Sequence, residues 1–164
     1  MKPIVTHIII STLEGETCSN PVIHTIFPND SGIKRDKIIS HTLPHGARSG
    51  EVFDFTYRRQ DLVVFVSELK IEDRRSDIVT ISSLLNNQVD KTTFIAILKT
   101  IFSEFQVDIF NSMEEFADFA KKLCLGLNSG NFNMNSYSFD IHGYLSNTGL
   151  SLEKEVRKVQ GGLF

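Results

Sequence analysis

Apolar positions along the chain fall into two periods. From Ile4 to Leu13 the run IVTHIIISTL is rich in β-branched residues and closes on Glu14-Gly15, which predicts a central strand. PVIHTIF, between Pro21 and Pro28, predicts a second strand bounded by prolines that cannot donate to a ladder. EVFDFTYR alternates Phe53, Phe55 and Tyr57 with Asp54, Thr56 and Arg58, then turns through Arg59-Gln60-Asp61 into LVVFVSELKI, a hairpin pattern. The charged tip EDRRSD leads into IVTISSLL, so three antiparallel strands are expected from about Glu51 to Leu85.

At Asn86 the period changes to that of a helix. Asp90 is the expected cap of KTTFIAILKTIFSEF, in which Phe94, Ile97, Leu98, Ile101, Phe102 and Phe105 form one wide apolar stripe. A second helix is expected from Ser112, with Glu115 at capping-box spacing, through Phe116, Phe119, Leu123 and Leu127 to the glycine and asparagine signals ending at Gly130. A short helix is expected in GIKRDKIISHTL, capped from Asn29, Asp30 or Ser31 and stopped by Pro44. These elements predict an α+β fold, a five-stranded antiparallel sheet with helices packed on it in the order ββαβββαα.

The chain after residue 128 reads differently. NFNMNSYSFDIHGYLSNTG is heavy in Asn, Ser and Gly, with Phe132, Tyr137, Phe139 and Tyr144 spaced through it, and SLEKEVRKVQGG is a charged helix candidate. The expected organisation is a domain over residues 1–128 and a tail over 129–164. The tail aromatics are expected to dock, either on the domain itself or on a partner.

The 164 residues, 41% hydrophobic and 23% charged, suit one globular core, and the formal net charge of -3 argues against a general nucleic-acid binder. Cys18 and Cys124 stand far apart without a CxxC, so neither a disulfide framework nor a metal knuckle is read and a reducing compartment is expected. The opening residues lack a cleavage site and no window approaches a membrane span, giving a cytoplasmic expectation with peripheral membrane contact open.

Candidate chemistry is sparse. Of the five histidines, His7, His24, His41, His45 and His142, one pair stands four apart, and Pro44 lies inside it. No GxSxG and no phosphate-cradling glycine motif occurs. No catalytic residue, metal ligand or cofactor is expected, and the chain is not expected to be an enzyme. The partner-binding candidates are Arg74 and Arg75, whose paired guanidiniums suit a carboxylate or phosphate, and the aromatics Phe132, Tyr137, Phe139 and Tyr144. Lys34, Arg35 and Lys37 alone fall below the basic density that holds a protein on anionic lipid.

The element order is similar to that of the longin superfamily, which includes small adaptor-complex subunits, amino-terminal domains of vesicle SNAREs, subunits of the TRAPP tethering complexes and the first module of DENN-type exchange factors. FDFTYRRQDLVVFVSEL resembles the third-to-fourth-strand hairpin of those proteins, and the PHG after the short helix looks like the loop that precedes it in DENN-type modules. The likeness covers about residues 3–128. It implies a dimer-forming interaction module in vesicle trafficking or small-GTPase regulation, with another longin or roadblock-type protein, or a small GTPase, as partner. The alternative is a profilin-like domain that senses a small molecule in a pocket between sheet and helices.

Overall fold

The computed structural model describes residues 3–14, 20–44, 46–71, 75–105, 109–134 and 136–154. Its main sheet is built from β1 (Val5–Glu14), β2 (Asn20–Phe27), β3 (Val52–Tyr57), β4 (Gln60–Ile71) and β5 (Arg75–Leu85), in the antiparallel spatial order β2-β1-β5-β4-β3. Helix α1 (Arg35–Thr42) lies between β2 and β3 in the chain; α2 (Lys91–Phe105) and α3 (Met113–Ser129) follow β5. A two-residue strand β6 (Ile109–Phe110) runs parallel to β4 beside Glu68 and Leu69. Among the described residues the fold is therefore α+β, with a five-stranded antiparallel core sheet and four helices, the fourth described below.

The sheet is apolar on both faces because its central strands are covered on both. Ile8, Ile10, Val63, Phe65, Val79 and Ile81 face α2 and α3, whereas Ile9, Leu62, Val64 and Leu84 face α1. Continuous β-branched runs in β1 and β4 are the sequence consequence of that double burial. Phe65 on the sheet stacks on Phe102 of α2 with ring centroids 3.6 Å apart.

The helix starts follow capping chemistry. Asp90 accepts from the Thr93 N–H and hydroxyl, and Ser112 Oγ accepts from the Glu115 N–H. Glu115 reaches back to the Asn111 N–H rather than to that of Ser112, a capping box displaced by one residue. At α1 the expectation is corrected. The side chain of Asn29 accepts from Ser31 N–H in a local turn, and the helix begins three residues after Gly32, with Lys34 as an N-cap that makes no side-chain bond.

The chain beyond residue 128 differs most from expectation. After α3 ends at Gly130 in the left-handed conformation, β7 (Asn131–Met134) and β8 (Tyr137–Asp140) form a hairpin, and α4 (Ile141–Thr148) follows. Phe132, Met134, Phe139 and Ile141 belong to the same core as α2 and α3. The boundary at 128 falls inside α3, and residues 131–148 pack with the domain. Residues 151–154 of the charged helix candidate are not helical and bridge Val89 through Glu153, and the remainder of that segment lies outside the described residues.

Gly126 explains how the hairpin comes so close. A Cβ at this position would lie 2.6 Å from Phe132 Cα and 2.9 Å from the Asn131 carbonyl, both of them backbone atoms. Gly126→Ala should therefore lower stability by about 1–3 kcal/mol in chemical denaturation, overpacking outweighing the gain of roughly 1 kcal/mol in helix propensity. An unchanged or raised midpoint would show that β7 has room to withdraw.

Both ends of the described chain are fastened to the middle. The Asn128 side chain accepts from Val5 N–H at 2.8 Å and donates to Val5 C=O at 3.0 Å, pairing with β1 as another strand would. Asn86 N–H donates to Ile4 C=O, Asp90 N–H to Leu152 C=O, and Lys154 N–H to Gln88 C=O.

Candidate functional site

The sequence-derived candidates do not converge on one place. Arg74 lies outside the described residues, and Arg75 opens β5 opposite Ile71. Phe132 is fully buried, with its ring against Phe105, Phe119 and Tyr137. Phe139 is buried beside Tyr144, which is half-buried. Of the two dockings expected for these aromatics, Phe132 and Phe139 take the one on the domain's own core, while Tyr137 and Tyr144 keep part of their surface exposed. Tyr137 keeps its hydroxyl at the rim, donating to Glu104 at 2.7 Å; burial first, and the carboxylate second, push the phenol above its ordinary range.

The nucleophile and metal-ligand candidates stand apart from one another where they are described. Cys124 is buried in α3 and burial pushes its thiol up to about 11, leaving it a packed thiol near neutral pH. Cys18 and His45 lie outside the described residues. His41 stacks on Phe55, and among the described residues no three His, Cys, Asp or Glu side chains group as a metal site. A cleft of about 240 Å³ opens where α3 meets α4, lined by Ile4, Leu127, Ile141, His142, Leu145 and Leu152. Ile4, Leu127 and Ile141 in its lining belong to the core that the sheet shares with the helices. Among the described residues no helix is long and apolar enough to cross a membrane.

Burial pushes the His7 imidazolium below its ordinary 6.5, against the opposing pull of the Ser31 backbone and Asp30. A lowered folded-state value means that the unfolded chain takes up the proton first, so stability is full above about pH 6.5 and falls as pH drops toward the folded value. His7→Gln should flatten that part of the stability–pH curve. A parallel slope in both proteins would assign the loss to other groups.

The feature with most interaction potential is the edge of the sheet at β3. Among the described residues no strand pairs with its outer side. Arg58 and Arg59 form a two-residue turn, so Tyr57 and Gln60 close it as a hydrogen-bonded pair and bonding to β4 alternates from there. Tyr57, Phe55 and Phe53 spend their main-chain groups on β4. Those of Val52, Asp54 and Thr56 point outward. Phe53 and Phe55 are half-buried and stack on the α1 side, and Asp54, the one acid on the strand, is bridged by Lys91 at 2.6 Å. The opposite edge, β2, carries Pro21, a residue that blunts strand pairing. This asymmetry was readable only in part: the alternation marked the hairpin, but nothing local said which strands would be outermost. Neither a scan against protein-family models nor a search of curated proteins found a match to this chain.

Proposed function

We propose that the chain is a non-catalytic, longin-type interaction module in membrane traffic or small-GTPase regulation. It pairs through the β3 edge with another longin or roadblock-type subunit, or with a small GTPase. The observation that carries this reading is the open β3 edge, with outward main-chain groups at Val52, Asp54 and Thr56, a half-buried Phe53–Phe55 pair beside them and its single carboxylate neutralised. Such an edge accepts a further strand without a new side-chain pocket. The ββαβββ order ahead of α2 and α3 adds support.

Thr56→Pro tests it, because proline removes an outward N–H while the ladder to β4 is kept. Affinity capture from cytosol with mass spectrometry should return a longin, roadblock or GTPase partner on the parent chain and lose it on the variant, with the thermal melt retained. Equal capture by both, or a parent eluate without any such protein, would overturn the reading.

A further inference from the structure

The turn joining β3 to β4 is built against local preference. Its two central residues need positive φ, a conformation that Asn and Gly adopt easily. Here they are Arg58 (φ 48) and Arg59 (φ 68), both exposed, so two long cations are held in a strained backbone conformation. Three more exposed cations, Lys34, Arg35 and Lys37, stand at the start of α1, where the helix dipole disfavours positive charge.

The two groups meet in space. Arg58 Nη1 donates to the Gly32 carbonyl at 3.4 Å, Lys34 N–H donates to the Tyr57 hydroxyl at 3.0 Å, and the Arg58 guanidinium lies 5.6 Å from the Tyr57 ring centroid. These five cations thus share one end of a chain, whose formal net charge is -3, with the carboxylates Asp30 and Asp36, and with Asp61, which Lys154 bridges at 3.6 Å. A negatively charged surface attracts that end and repels the remainder, which fixes an orientation as well as an affinity.

We infer that this end docks on an anionic bilayer surface, with Arg58 and Arg59 at the apex and Lys34, Arg35 and Lys37 beside them. The number of cations falls within the four to eight that hold a protein on anionic lipid. A hairpin turn is convex, so its guanidiniums meet a broad surface more readily than they enclose a small anion. Ile33, in the neighbouring loop before α1, packs in part against the core beneath and leaves the rest of its apolar surface for the headgroup boundary. The inference does not depend on pairing at the β3 edge, because the turn lies at the end of that strand and not along its side.

Sedimentation of the full chain with vesicles tests it, comparing phosphatidylcholine alone with phosphatidylcholine containing about one third phosphatidylserine. Binding is expected to the anionic vesicles only and to fall with added salt. Arg58→Asn/Arg59→Gly relieves the backbone strain, so the variant should melt higher and yet bind roughly 25-fold more weakly, at about five-fold per cation removed. Lys34→Gln/Lys37→Gln should lose a similar factor while staying folded. Lys121→Gln/Lys122→Gln, which removes the same charge from α3, should bind as the parent does. Equal sedimentation with both vesicle types, parental binding by the first two variants, or equal weakening by the third would overturn the inference. Competition by inorganic phosphate beyond that of chloride at matched ionic strength would also overturn it, by assigning a discrete anion site.

Discussion

Protein cut after Gly130 should lose its cooperative thermal transition and bind an apolar dye at room temperature. The missing segment carries Phe132, Met134, Phe139 and Ile141, all within the core that α2 and α3 share with the sheet. Its removal would uncover the face of α3 on which β7 packs and leave Phe105 without two of its ring neighbours, Phe132 and Tyr137. A contiguous apolar surface of that kind favours association over folding. The effect should exceed the ~3–5 kcal/mol expected of a single buried Phe truncated to Ala. A truncated protein that melts as sharply as the full chain, at a similar temperature, would return residues 131–154 to the status of an appendage.

Phe119→Ala should be the most damaging single substitution, at about 3–5 kcal/mol. Its ring meets Phe102 edge-on at 5.5 Å, stacks with Phe105 at 5.5 Å and meets Phe132 edge-on at 5.6 Å, so one side chain joins α2, α3 and β7. Aromatic pairs of this geometry add roughly 0.5–1.5 kcal/mol beyond their buried area. Equilibrium unfolding in urea reads the loss directly, and Phe119→Leu, which keeps most of the volume, should recover a large part of it. Equal losses in both variants would locate the effect in the ring contacts and not in the cavity.

What the sequence reveals here depends on how much each segment decides for itself. The helices α2 and α3 are legible because six and four apolar residues respectively repeat at helical spacing behind a capping Asp90 and Ser112. The β3–β4 hairpin is legible for the corresponding reason at period two. The β7–β8 hairpin carried the same signal in miniature, with Phe132 and Met134 inward and Asn131 and Asn133 outward, but Asn-rich composition masked four residues of alternation. Helix α4 had no local signal. Its sequence IHGYLSNT contains Gly143, Ser146 and Asn147, and Asp140 at its N-cap makes no side-chain bond, so the helix depends on the surface it lies against. The β3 edge and the Arg58–Lys34 neighbourhood were unreadable for a third reason, since each joins residues from separate elements whose order in space no local pattern states.

The Asn128 clamp on Val5 links positions 123 residues apart, and residues 152–154 then tie themselves to the stretch from Gln88 to Asp90. Synthesis makes β1 well before Asn128, whose side chain holds the Val5 main chain, and before the strap at 152–154. The early strands must therefore wait, paired only with β2, until β5 appears and the clamp can shut. Completion of the sheet thus waits until β5 and α3 have been made, and an apolar, half-paired nascent sheet is exposed to chaperones over that interval.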